Sequence, residues 1–386
     1  MSSQIAANQY ANRPPDERFE SIEALIADAA SERQLSREKA YNIKDLAAVA
    51  IRQDERQPDS PHALMLQSPK NRAHFSHWSF GQLARTVSAP AAYLRTLSPD
   101  TAARCINEGI AATPAGTDVN VLVRQDAPAV GDTPPVLTVR ACTSDTYGRL
   151  WDQKLYEGFR DLVIAHDPSW KNGIPTWSGE KAGFYRGDRD SFAISVNGGS
   201  IVEDPSAPQG QGEMYRGIIL RNSEVGAAKV RIYSFFLRAI CGNHMLWGLQ
   251  QDQTFSRRHV GSGDNVLRDT LRELSNIAYR FTRQSAAQDQ AIIKTLIDNE
   301  IATTKQGVID ELRKVGYTAE QAAAAYATCE ATENASPRSY WGLAQGTTRN
   351  SQQMCDGHMD ERLTLDQLAA ALIVRGQKAH AAAVRV

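Results

Sequence analysis

At 386 residues, 42% hydrophobic, 23% charged and with a formal net charge of −1, the chain has the size of two or three domains and the composition of a globular protein. No apolar run reaches the roughly 18–20 residues of a membrane-spanning helix, and the near-neutral total carries no global sign of a polyanionic partner. Five scattered cysteines without a C-x-x-C pair exclude a disulfide framework. With no apolar signal core near Met1, they point to reduced thiols and a cytoplasmic setting.

Residues 1–17, polar and carrying Pro14-Pro15, offer little to bury and read as disordered. Residues 18–75 read as a helical arm and linker. Ile22, Leu25, Ile26 and Ala29 recur at helical spacing, 42–52 suggests a second short helix, and 54–61 is a charged linker. Further helices are expected from Ser79, from Pro90, and over 101–110 behind the Ser98-Pro99 start. Residues 119–124 and 136–142 are strand-like, 150–163 helical, 168–183 loop, 191–196 strand and 200–212 a Pro/Gly/Gln connector.

Residues 217–220 form a short apolar run, 221–228 a polar corner with small residues, and 229–235 largely alternate as a half-buried strand does. Residues 264–283 form a strongly amphipathic helix, with Leu267, Leu271, Leu274, Ala278 and Phe281 on one face. The remainder is helical, with Gly316 as a left-handed stop and Thr318/Gln321 as a capping box. Helix starts follow at Ser336-Pro337 and at Thr364. Segregated runs of helices and about five strands predict an α+β fold. It has an antiparallel-type sheet with a long amphipathic helix as a core over 76–300, flanked by helical N- and C-terminal elements, the latter over 301–386.

Charge is distributed unevenly. Between Arg216 and Arg283 eleven basic residues, ten of them arginine, stand against five acids, so this segment carries +6 in an otherwise acidic chain. The planar guanidinium fork suits phosphate. Arg221, Lys229, Arg231, Arg257 and Arg258 are the candidate phosphate contacts, and Tyr233 or Trp247 the candidate stacking platforms for bases. Arg257-Arg258 ahead of Gly261-Ser262-Gly263 would make an anion cradle at a helix start, without the Lys-Ser/Thr of a nucleotide-hydrolysing loop.

Other constellations compete with bland readings. Asn222, Ser223, Glu224 and Gly226 either hold a ligand at an exposed corner or make an ordinary turn. Cys241 and His244, either side of the motif residue Asn243, leave a zinc site with the distant His259 one ligand short, and Cys241 follows a run that reads as core. Asp145, Asp188, Asp190 and Glu224 carry carboxylates that a single sequence does not bring together. No catalytic residue, metal or cofactor is assigned.

Three stretches then carry a resemblance: N-S-E-V-G at 222–226, F-L-R-A-I-C-G-N-H at 236–244, which includes Arg238, and R-R-H-V-G at 257–261. Supporting pieces are 78–83, P-A-A-Y-L at 90–94, V-R-A-C-T-S-D at 139–145 and G-D-R-D at 187–190, with a fainter echo at 339–348. In this order they resemble the plasmid- and phage-borne domain-of-unknown-function 932 family. The resemblance implies a protein of a mobile element and assigns no activity to the motif residues. Consecutive strands followed by a long basic helix are also similar in plan to phage single-strand annealing proteins.

The expectation is a non-enzymatic nucleic-acid-binding protein that favours single-stranded DNA and has no membrane partner. One alternative is a metal-assisted hydrolase or nucleotide-processing enzyme at Asn222, Glu224, His244 and His259. The other is an interaction protein that oligomerises through its C-terminal helices.

Overall fold

A computed structural model of the chain describes residues 17–51, 64–130, 135–172, 183–209, 212–238, 246–247, 254–353 and 359–383. In chain order, β1 (Arg18–Phe19) and α1 (Ile22–Leu35) lead into β2 (Ser36–Asn42), β3 (Ala47–Ala50), β4 (Leu64–Gln67) and β5 (Arg72–Phe75). Helices α2 (His77–Thr86), α3 (Ala91–Leu94) and α4 (Pro99–Ala112) precede β6 (Asp118–Ala127), β7 (Val136–Ser144) and α5 (Asp152–Phe159). Strands β8 (Trp170–Asn172), β9 (Phe184–Arg186), β10 (Ser191–Glu203), β11 (Glu213–Asn222) and β12 (Val230–Arg238) come next, with β13 (Leu246–Trp247) and β14 (Thr254–Arg257). The rest is helical: α6 (Gly263–Arg283), α7 (Ala286–Asp298), α8 (Lys305–Val315), α9 (Ala319–Thr332), α10 (Tyr340–Gln353) and α11 (Met359–Ala383).

Local chemistry sets many of these ends. Ser21, Ser76, Ser98, Ser262, Ser285, Thr304 and Thr318 each accept a first-turn backbone N–H at a helix start. Thr318 and Gln321 complete the expected capping box, and Gly316 stops α8 at φ 118°.

The strands form two sheets. The first runs β1-β9-β10-β11-β12-β13, with β14 also on β12 and β8 on β10, and every pairing is antiparallel. The second runs β2-β6-β7-β5-β4-β3 and is antiparallel except at β5–β7. The period-two pattern of β12 explains how the first sheet is covered on both faces. Val230, Ile232 and Phe236 join the main core with α5, α6, α7, α10 and α11, while Phe235 and Leu237 join a smaller cluster behind. Gly217 is required on β11, because a Cβ there would lie 2.1 Å from the Phe235 ring on the facing strand. The second sheet buries Val119, Val121 and Val139 against α2 and α4.

Several expectations change. The helix expected over 42–52 does not form in its described part, 42–51: Asn42 caps a single 3-10 turn, and Ala47–Ala50 pairs with β4. The spacing of Leu46, Val49 and Ala50 fits a helix locally, but pairing with Leu64–Gln67 satisfies the same backbone while burying Ala48. The expected single sheet of about five strands becomes two sheets, because short strands such as Arg72–Phe75 carry no alternation of their own. Strand β10 runs past Gly198-Gly199 to Glu203 across an irregularity between Asn197 and Ile201. Trp170–Asn172, expected in a loop, pairs with β10. Among the described residues no helix is long and apolar enough to cross a membrane.

Candidate nucleic-acid interface

The polar corner at 222–226 is a buried junction. Asn222, Ser223 and Glu224 are at most 3% exposed, and Gly226 turns the chain at φ 78°. Glu224 Oε2 accepts from Arg140 Nη1 at 3.0 Å and Arg186 Nη2 at 3.3 Å, and its Oε1 accepts from the Asp152 backbone N–H at 2.9 Å. Asp152 accepts from Asn222 Nδ2 and Ser191 Oγ, both at 2.7 Å, and from Arg186 Nε at 3.2 Å. Glu32 from α1 lies 3.0 Å from Arg140 Nε, and Asp28 accepts from Arg186 Nη1 at 2.9 Å. Arg149 donates to the Glu224 carbonyl and, at 2.6 Å, to Glu38.

Both carboxylates are fully spent on protein donors. Burial would raise the Glu224 carboxyl, but Arg140 and Arg186 outweigh it and hold Glu224 below the usual carboxylate range. Asp152 is pushed up to about 6, by burial first and then by the Glu224 charge. The geometry describes a structural knot that closes the two sheets on each other, not an open ligand set.

The R-R-H-V-G stretch docks against the same knot. His259 is 4% exposed and stacks on Tyr147 at 5.1 Å, whose hydroxyl donates to the Ser223 carbonyl at 2.8 Å. Neither His259 ring nitrogen reaches a partner at hydrogen-bond geometry, although the Gly148 and Ala228 backbones lie near. Burial pushes its pKa down to about 4, so the ring is neutral at pH 7. Its folded pKa lies below the unfolded value near 6.5, so the stability it contributes is complete above that value and is lost as pH falls toward 4. Relative to His259→Phe, the protein is expected to lose about 3 kcal/mol of unfolding free energy between pH 6.5 and 4. Urea unfolding at several pH values measures this, and parallel profiles would rule it out.

The basic residues of 216–283 fall into two groups. Arg216 is wholly buried against Asp289, Arg221 donates through Nε to Asp190 at 3.0 Å, and Arg257 pairs with Asp269. Arg231 donates to the Tyr233 hydroxyl at 2.6 Å, and Tyr233 itself is half-buried. Lys229 and Arg258 sit one rung beyond the Val230–Arg257 pair, exposed and without a carboxylate partner among the described residues. Trp247 pairs with Phe235 through its backbone, and Arg238 ends β12, the side chains of both lying outside the described residues. Cys241, Asn243 and His244 also lie outside them. Cys142 and Cys329 are buried, with thiols pushed up to about 12, and Cys105 is exposed and unbridged. Among the described residues no three His, Cys, Asp or Glu come together as a metal site.

An exposed row of arginines lies on α6. Val266, Thr270, Leu274, Ile277 and Phe281 face inward, leaving Arg268, Arg272, Asn276, Tyr279, Arg280 and Arg283 exposed on the outer side. Arg268 and Arg272 are 72% and 68% exposed, with only loose contacts to Asp269 and Glu273 at 3.8 and 3.6 Å. Tyr279 is 56% exposed, and the Arg283 guanidinium lies 4.6 Å over its ring. From Arg268 to Arg283 this face runs about 22 Å along the axis, offering a guanidinium on most turns. It begins beside Arg257, which donates to the Asn265 carbonyl at 3.2 Å. The candidate contacts read from the sequence centred on the sheet. Helical periodicity alone marks the outer face of α6 as exposed, whereas the carboxylate partners of Arg216, Arg221 and Arg257 come from distant segments.

The family described as "Domain of unknown function (DUF932)" matches residues 141–377. No curated protein and no solved structure matches the chain.

Proposed function

The chain belongs to the domain-of-unknown-function 932 family, and from that premise we propose that it is a non-enzymatic nucleic-acid-binding protein of a plasmid or phage that holds single-stranded DNA along the outer face of α6. One observation carries the reading: the aligned, exposed Arg268, Arg272, Arg280 and Arg283, of which the first two meet carboxylates only at 3.8 and 3.6 Å. A row of fixed cations displaces condensed counterions from a phosphate chain, and that release supplies sequence-independent affinity. Tyr279 adds an exposed aromatic surface beside the row, which favours unpaired bases over duplex. Lys229 and Arg258 extend the positive surface from the β12–β14 edge.

Fluorescence anisotropy with an oligothymidine, a duplex and an RNA across a salt range tests the proposal. The single strand is expected to bind with a log–log salt slope that falls by about 0.7 for each phosphate-contacting arginine removed. Alanine at Arg268, Arg272, Arg280 and Arg283 together should lower the slope by roughly 3. These side chains lie outside the core, so the fold is retained. A salt-independent signal, or an unchanged slope in the fourfold variant, sinks the proposal.

A further inference from the structure

A second basic surface lies away from α6, where the two sheets meet. One face of α2, carrying His77, Trp78 and Arg85, forms one wall of a cleft of about 600 Å³, and Arg95 and Arg189 complete it. The volume falls in the range of about 300–1,000 Å³ typical of small-ligand sites. Three arginines and a histidine line it, and among the described residues no carboxylate does. Of the acids flanking Arg189, Asp190 accepts from Arg221, while Asp188 is exposed and only loosely placed, 3.9 Å from Arg124. Neither lines the cleft.

The walls are fixed by the motif corner. The Val225 carbonyl accepts from Trp78 Nε1 at 3.0 Å and from Gln82 Nε2 at 2.7 Å, while Ser223 Oγ donates to the Arg189 carbonyl at 2.5 Å. The same five-residue corner thus holds both sides of the cleft, and its rigidity comes from the buried Glu224 knot. The Arg189 guanidinium lies 4.8 Å over the Trp78 ring. Arg95 is braced by the His77 carbonyl at 2.8 Å and by the Phe80 ring at 5.3 Å, and its Nε is buried with no partner. His77 is held below the usual imidazole value by partial burial, then by Arg95 and Arg189, which shows how cation-rich the site is. The backbone turns at the cleft wall through Ser88, the one non-glycine residue with positive φ, 57°, among the described residues.

We propose that this cleft binds the phosphate group of a nucleotide-sized ligand, with Arg85, Arg95 and Arg189 gripping the oxygens and Trp78 walling the attached ring. The guanidinium fork matches phosphate geometry in pairs, and a rigid cleft preorganises the grip. A free nucleotide and the phosphorylated end of a DNA strand share this chemistry.

Calorimetric titration of the full chain with deoxyadenosine monophosphate and with deoxyadenosine distinguishes phosphate recognition from base binding. Arg85 and Arg189 are exposed and take no part in the core, so Arg85→Ala and Arg189→Ala fold. Each is expected to weaken the monophosphate roughly tenfold, whereas Arg268→Ala/Arg272→Ala on α6 leaves it unchanged. This separates the cleft from the α6 surface, so either can fail alone. An oligothymidine bound at least tenfold tighter with a 5′-phosphate than with a 5′-hydroxyl assigns the ligand to strand ends, and equal binding of the two assigns it to free nucleotides. The proposal is overturned if wild type binds the nucleoside as well as the nucleotide, if it binds neither, or if both arginine variants bind like wild type.

Discussion

Replacing Glu224 with alanine is expected to lower the unfolding free energy by about 3–5 kcal/mol, because it leaves two buried guanidinium groups without their shared counter-charge. Arg140 and Arg186 are only 7–8% exposed, and both reach Glu224 Oε2. Their remaining partners, Glu32, Asp28 and Asp152, cannot move into the vacated volume without leaving their own elements. Asp152 would also lose the acceptor of its backbone N–H, which starts α5. Glu224→Gln keeps an acceptor but drops the charge and should fall between wild type and alanine. Replacing Glu224, Arg140 and Arg186 together by apolar residues of similar volume should recover much of the loss, since exchanging a buried ion set costs less than breaking it. Urea unfolding of the full chain measures all three, and a Glu224→Ala loss under about 1 kcal/mol would show that the knot is not structural.

Trp341→Ala is expected to cost a similar 3–5 kcal/mol for a different reason. Trp341 is fully buried in the main core, and its indole Nε1–H donates to Asp204 Oδ2 at 3.2 Å. Gln345 Nε2 donates to the same oxygen at 2.9 Å, so two groups on α10 tie the C-terminal helices to the end of β10. The substitution combines a large cavity with one lost hydrogen bond to a carboxylate that is 3% exposed. Trp341→Phe keeps most of the volume and should cost markedly less. Equal losses for phenylalanine and alanine would assign the effect to the hydrogen bond instead of the cavity.

Both positions lie in stretches that carry the family resemblance, and both are structural. This bears on what was legible in the sequence. The candidate sites at 222–226 and 257–261 and the supporting stretches at 139–145 and 187–190 are separate in the chain, and they meet at one junction through Arg140, Arg189, Glu224 and His259. The three central strands and the long helix were readable, as were the Ser98 and Thr318 helix starts, because alternation, helical periodicity and Ser or Thr starts are local signals. Of the second sheet only β6 and β7 were readable, because β3, β4 and β5 are four residues each and are strands only by virtue of their partners.

The sequence by itself determined the class of fold, the family, the +6 charge of 216–283 and the exposed face of α6. Only the tertiary structure decided which arginines are available to a ligand. Asp190, Asp269 and Asp289 neutralise Arg221, Arg257 and Arg216, while Arg189, far along the chain from Arg85 and Arg95, shares one cleft with them. The reason is physical: periodicity is fixed within a few residues of backbone, but the partner of a charge is fixed by which segments the folded core brings within a few ångströms.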